Sequence, residues 1–307
     1  MQQPLKNWGL LIFLSMIWGS SFILMKRGME SMDGHLIFSD TQVASLRMTI
    51  AGFVMLPIGL YHMNKVTNWK TFFGLAGVGF FGNFFPAFLF TFAEKGLSSG
   101  YTGMLNSFTP VFTIIFGLIL FKSNLNRLQG IGLIISITGV ILLIKTGTQT
   151  VGEFEETSLP YAFAAVGATV CYALSLNFMK HLIPHVKPIH ATALAFTFTL
   201  GPALLGFWKT GVYETILTNE FALEGLSYIS ILAIVGTSFA VVLFNRLTIN
   251  STTLFASSVT YLIPIVAVFI GTFFGETIHF MQLVSMVLVL LGVFVANGRV
   301  DSFFKKG

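Results

Sequence analysis

The chain has 307 residues, 54% hydrophobic and 9% charged, with a mean hydropathy of +0.83 and a formal net charge of +5. A soluble domain solvates its surface with roughly 25% charged residues; this composition excludes that class, and the outer surface must face lipid. The basic residues are scattered over connections rather than gathered in a patch, which argues against nucleic acid, and Cys171 is the only cysteine, which excludes an intrachain disulfide or a Cys-rich metal site.

Taken in chain order, the apolar runs predict an all-α integral membrane fold of ten transmembrane helices. The expected spans are Trp8–Met25, Gln42–His62, Phe72–Ala93, Tyr101–Phe121, Leu128–Ile144, Tyr161–Lys180, Ala191–Trp208, Leu226–Ile249, Thr253–Phe274 and Met281–Ala296. The first run, after Lys6, resembles a signal peptide, but no small-x-small cleavage site with a polar mature start follows it, so it reads as a retained span. Membrane β-strands are excluded because the runs far exceed about ten residues and show no period-two alternation. The longest polar connections are Thr146–Pro160 and Lys209–Gly225; spans eight and nine are nearly continuous through Asn250-Ser251-Thr252.

Loop charge predicts orientation. With the N-terminus in the cytoplasm, eleven of the 17 basic residues fall on the inner side, five on the outer side, and Arg47 within span two. Every acid except Asp301 then falls outside. An even span count with both termini cytoplasmic satisfies both patterns.

The two halves repeat at a spacing of about 154 residues. The segment Trp18-Gly19-Ser20-Ser21-Phe22-Ile23-Leu24-Met25-Lys26 parallels Tyr172-Ala173-Leu174-Ser175-Leu176-Asn177-Phe178-Met179-Lys180, and Pro110 in span four parallels Pro264 in span nine. After one deleted residue, Gln129 parallels Gln282, and Gly139 parallels Gly292. Residues 1–150 and 151–307 therefore read as two five-helix repeats. Five is odd, so the second is inserted inverted, an arrangement that transporters use to place a site at the repeat interface.

These residues resemble the ten-helix EamA branch of the drug/metabolite transporter superfamily over nearly the whole chain. The resemblance rests on Trp18-Gly19-Ser20-Ser21-Phe22, Ser45-Leu46-Arg47, the Pro110 and Pro264 helices, the Gly275-Glu276 turn, and Gln129 and Gln282 at the starts of spans five and ten. It implies export or exchange of small metabolites, often amino acids or related compounds, through a cavity between the halves. One departure stands out: Lys122 occupies the place where the pattern has the glutamate seen at Glu276.

The candidate substrate-binding residues are Trp18, Ser21, Arg47, Asn83, Asn106, Thr109, Tyr172, Asn177 and Tyr261, polar or amphipathic groups at span depth. Small and hydroxyl residues also serve helix contact in membranes, so both readings stand for each of them, as for Ser20 and Ser175. Pro110 and Pro264 are candidate kinks or gates. A proline opens the helix ladder near the carbonyl four residues earlier, here Asn106 and Thr260. Either the kinks are structural or they also line the cavity, beside Asn106, Ser107 and Thr109 in one repeat and Ser257, Ser258, Thr260 and Tyr261 in the other. Arg47 either snorkels or pairs with Glu94, or it attracts a substrate carboxylate. Lys26 and Lys180 read as snorkelling at opposite surfaces.

No aspartate or glutamate lies well inside a span, so facilitated transport or exchange is expected, with coupling through Glu94 or another interfacial acid as the remaining route. Metalloprotease, Walker and Gly-x-Ser-x-Gly motifs are absent; no enzymatic activity, cofactor or metal is expected. The expected partners are a small-molecule substrate and the lipid bilayer of the cytoplasmic membrane, and ten helices can close a cavity as a monomer. Two other readings remain: a flippase for a lipid-linked substrate, which needs a lateral gap with an apolar track, and a non-transporting scaffold or receptor. The 34 phenylalanines suit lipid contact as well as an aromatic-lined cavity.

Overall fold

The structure, a computed structural model, describes residues 5–122, 127–148, 158–251 and 259–296. Among the described residues it is all helical, apart from an isolated bridge between Glu30 and Leu36. The helices are α1 Leu5–Met29, α2 Asp40–Tyr61, α3 Trp69–Gly79, α4 Phe85–Glu94, α5 Ser99–Asn106, α6 Thr109–Phe121, α7 Arg127–Thr148, α8 Ser158–His181, α9 Pro188–Lys209, α10 Val212–Thr218, α11 Ala222–Ile231, α12 Ala240–Asn250, α13 Val259–Phe273 and α14 Phe280–Ala296.

Eight helical stretches are long and apolar enough to cross a membrane, from Leu5–Met29 to Ala222–Phe244, and two shorter apolar helices follow, Val259–Phe273 and Phe280–Ala296. At 1.5 Å per residue, α1 is about 37 Å long, more than the roughly 30 Å of hydrocarbon it has to cross. Ser257, Ser258 and the start of the expected ninth span lie outside the described residues. Side chains such as Phe13, Phe53, Phe73, Phe163 and Phe269 are exposed along the helix surfaces, as lipid-facing residues must be.

Three spans differ from uninterrupted helices. The third is α3 and α4 joined by a π-helical segment, Phe80–Phe84, and the eighth is α11 and α12 joined by another, Leu232–Phe239. These two segments overlap when superposed at the repeat spacing seen in the sequence. The fourth breaks completely: α5 ends at Asn106 and α6 starts at Thr109. Pro110 therefore sits in the first turn of a new helix, where its missing N–H leaves no bond unmade. The Asn106 carbonyl expected to be freed accepts a hydrogen bond from the Thr109 hydroxyl at 3.1 Å, so a side chain supplies the partner. Pro264 does lie inside a helix, α13, and is buried.

Helix ends are specified locally. Ser39 and Gln42 form a reciprocal capping box at the start of α2, with bonds of 3.2 and 2.9 Å. The Gln42 amide also donates to the Thr210 carbonyl and the Thr215 hydroxyl, tying that cap to α9 and α10.

Packing pairs helices from the two halves. α2 lies along α9, where Gly52 meets Leu200, and Gly59 meets Ala193 and Thr197. α7 lies along α14, where Gly132, Ser136 and Gly139 approach the backbone of Ser285, Val289, Gly292 and Ala296. α5 and α1 both pack on α13 through Gly103 and Gly19. Small residues let these backbones meet closely, and van der Waals contact does the work that hydrophobic exclusion cannot do in lipid.

Candidate functional site

Polar groups converge at two levels near the face where α1 ends, the expected outer face. The upper level is an ionic latch. Gly275 adopts φ +86°, a left-handed conformation that suits glycine, and the turn returns Glu276 to the helix ends, its N–H donating to the Gly271 carbonyl at 2.9 Å. The Glu276 carboxylate accepts the backbone N–H groups of Ser99 at 2.7 Å and Gly100 at 2.8 Å, the free donors at the start of α5. The Lys26 ammonium lies 3.7 Å from the same carboxylate. Glu276 thus ties α1 and α5 of the first half to the α13–α14 turn of the second. A cavity of about 370 Å³ adjoins it, lined by Ile23, Lys26, Arg27, Ser98 and residues 274–277. Arg27 lies over the Phe274 ring at 5.5 Å and donates to the Ser31 carbonyl at 3.0 Å. None of the residues proposed from sequence lines that cavity. Lys26, expected to snorkel, is committed to the latch.

The lower level is built around Arg47, two turns into α2. Its Nε donates to the Thr237 hydroxyl at 3.3 Å, and Nη1 approaches the Met25 sulfur at 3.5 Å. Of the alternatives open to Arg47, pairing with Glu94 is not formed: among the described residues the two make no salt bridge. They remain within electrostatic reach of each other, as does Tyr172 of Arg47. Glu94, at the end of α4, is 2% exposed, and neither carboxylate oxygen has a hydrogen-bond partner among the described residues. The other charges acting on it are those of Lys26 and Glu276. Three aromatic rings from α1, α4 and α8 also meet: Phe22 contacts Phe90 edge-on at 5.6 Å, and Phe90 contacts Tyr172 at 5.8 Å.

Trp18 enters the same neighbourhood from α1. Its indole N–H donates to the Gly236 carbonyl at 3.0 Å, and its ring contacts Phe244 at 5.3 Å. Gly236 and Thr237 both belong to the π-helical segment, where widened turns present a carbonyl and a hydroxyl to neighbouring helices. Trp18 and Arg47 are therefore brought to one segment, with the Ser21 hydroxyl nearby facing Gly236. That hydroxyl donates to its own helix at Ile17, as does that of Ser20.

The remaining candidates lie elsewhere. Asn83 is half-buried in the other π-helical segment. Asn106 ends α5, and its side-chain oxygen is buried without a hydrogen-bond partner. Thr109 starts α6. Asn177 is buried and donates to the carbonyls of Thr113 and Ala173, bridging α8 to α6. Tyr261 reaches the Val293 carbonyl at 3.5 Å, between α13 and α14. Sequence reasoning missed the latch role of Glu276 and the part played by Gly236 and Thr237. The available signal for the first was a lone acid on the Gly275 turn, on the same face as Lys26; nothing in composition marks the other two.

Among the described residues no cluster of three or more His, Cys, Asp or Glu is placed to hold a metal ion.

Comparison with known proteins bears on this geometry. The sequence model of the EamA-like transporter family matches residues 6–145 and again residues 159–298. The chain is 25% identical over 310 residues to the Escherichia coli K12 protein named uncharacterized inner membrane transporter YedA, covering 97% of this chain and 93% of that one. It is 23% identical to a Salmonella typhimurium protein named probable amino-acid metabolite efflux pump, with 94% of each covered. A solved crystal structure shares the fold with a TM-score of 0.57 at 16% identity, over 95% of this chain and 96% of the other.

Proposed function

Because the chain belongs to the EamA-like transporter family, we propose that it is a ten-helix secondary transporter that exports or exchanges small metabolites, amino acids or related compounds, by alternating access. In this reading residues 1–150 and 151–307 are inverted five-helix repeats, the passage lies at their seam, and both termini face the cytoplasm. The protein resides in the cytoplasmic membrane, in keeping with the relative named an inner membrane transporter.

The observation that carries the reading is Arg47. A guanidinium two turns inside a membrane span costs about 2.5–3.5 kcal/mol on insertion scales unless it snorkels, finds a partner or faces a polar passage. Here it is held by α1 and the π-helical segment of the eighth span, at a junction of the two halves. Helix pairing lends support. A half-turn exchanging the repeats would map α2 onto α9, α7 onto α14, and the α1–α13 contact onto that between α8 and α6, and each of these pairs packs together. The latch of Lys26, Glu276 and the start of α5 would close the outer side, so opening there requires that latch to part.

Purified protein should be stabilised against heat by at least one solute from a panel of amino acids, nucleobases and vitamins, and liposomes containing it should take up that solute. A panel with no stabilising member, together with liposomes no leakier than protein-free ones, contradicts transport.

A further inference from the structure

We propose that the groove between the start of α1 and the end of α12 binds one anionic phospholipid, its phosphate held between Lys6 and Arg246. The groove lies at the opposite end of α1 from the Glu276 latch, on the expected inner face. Its occupant does not depend on what the protein carries.

The groove has a volume of about 300 Å³ and is lined by Lys6, Gly9, Leu10 and Phe13 of α1 and by Leu243 and Arg246 of α12. On each helix the lining residues recur at spacings of three and four, so they share a face. The start of α1 meets the end of α12, where the Asn7 amide donates to the Asn250 carbonyl at 3.0 Å. Lys6 and Arg246 therefore both lie toward the aqueous boundary, and Phe13 and Leu243 both lie deeper, Phe13 by about 10 Å along α1. Charge at the mouth and hydrocarbon beyond it match a phospholipid with its headgroup outward and an acyl chain inward. Gly9 keeps the groove open, because a Cβ there meets no atom within 4 Å. Phe13, 47% exposed, offers its ring as a wall for the chain.

The charges are left without a protein partner. Both cations are exposed, and among the described residues neither joins a salt bridge; those formed are Lys26–Glu276 and Lys95–Asp40. The first turn of α1 holds no acid. In the expected orientation every acid but Asp301 lies on the opposite face, so lipid phosphates are the anions at hand. A free phosphate leaves the apolar walls uncovered, and a zwitterionic headgroup brings an ammonium beside two cations. An anionic headgroup meets both demands. Because Lys6 belongs to the first half and Arg246 to the second, a shared phosphate turns repulsion between them into a link across the seam.

The test counts lipid retained by the purified protein in native mass spectrometry, after release from micelles holding palmitoyl-oleoyl phosphatidylglycerol and palmitoyl-oleoyl phosphatidylcholine in equal amounts. The wild-type protein should retain one phosphatidylglycerol in preference to phosphatidylcholine. Lys6→Gln and Arg246→Gln should each weaken that retention about fivefold, the contribution of one cation at an anionic lipid surface. Gly9→Leu should weaken it at least as much while keeping both cations; its side chain enters open space, so it reads the groove even where a charge variant fails to fold. Lys65→Gln combined with Lys187→Gln, which removes two cations of the same expected face outside the groove, should change retention less than twofold. The proposal is overturned if phosphatidylcholine is retained equally, if Gly9→Leu has no effect, or if the Lys65 and Lys187 pair matters as much as the groove pair. It also falls if sn-glycerol 3-phosphate, a headgroup without chains, displaces the lipid at equal concentration, which would make the site one for free phosphate.

Discussion

Single side chains set the terms of the site. Glu276 is worth more than a surface ion pair, because its carboxylate accepts two backbone N–H bonds at a helix start as well as the Lys26 charge. Glu276→Ala is expected to cost about 2 kcal/mol, read as a lowered unfolding temperature of the purified protein. In a Cys171→Ser background the same change should also make Ser98→Cys react faster with a membrane-impermeant thiol reagent, because the cavity beside it opens. Unchanged reactivity would show that the latch does not gate access. Trp18→Phe removes the donor to the Gly236 carbonyl while keeping the ring contact with Phe244. It should lower stability by about 1 kcal/mol and slow transport; wild-type rates would remove Trp18 from the working site.

Elements explain why those side chains meet. In the eighth span, the Thr237 and Ser238 hydroxyls donate to carbonyls five residues earlier, at 3.0 and 3.1 Å, the spacing of a π-helix rather than an α-helix. Thr237→Val removes one of those bonds and the acceptor for Arg47. It is expected to raise the KM for transport several-fold at a stability cost of about 1 kcal/mol; an unaltered KM would mean that Thr237 does not orient Arg47. Across the α7–α14 pair the Ser136 hydroxyl donates to the Val289 carbonyl at 3.3 Å. A Cβ on Gly292 would meet the Ser136 backbone nitrogen, an atom that cannot swing aside. Gly292→Leu should therefore separate the pair, costing more than about 3 kcal/mol and appearing as loss of the monodisperse species in size-exclusion chromatography.

Legibility in the sequence divides at this scale. Eight of the spans were readable because about 20 apolar residues are a compositional signal, and the break of the fourth span was marked by Pro110. The position of that break, before the proline rather than around it, depends on Thr109 satisfying Asn106, a local bond that periodicity does not encode. The π-helical segments alter the hydrogen-bonding register without altering composition. Arg47 stood out as the one basic residue inside a span, yet its partners did not, because a threonine 190 residues away carries no mark of the contact. Trp18 and Tyr172 were found as repeat equivalents, but the groups they touch are a carbonyl and another ring.

At the scale of the whole molecule, the account is of two similar halves whose helices pack across their seam, α2 on α9, α7 on α14, and α1 and α5 on α13. In that account the halves exchange two arrangements, each adopting the conformation its counterpart holds. Membrane insertion with both termini on one face is part of that account, and reporter fusions at the two ends should report the same side. Solute counterflow tests the central claim most directly. Liposomes containing the protein and loaded with an unlabelled panel amino acid should transiently accumulate the labelled form above its external concentration, and Arg47→Gln should abolish this. Accumulation no greater than in protein-free liposomes, across every panel solute, would contradict a carrier.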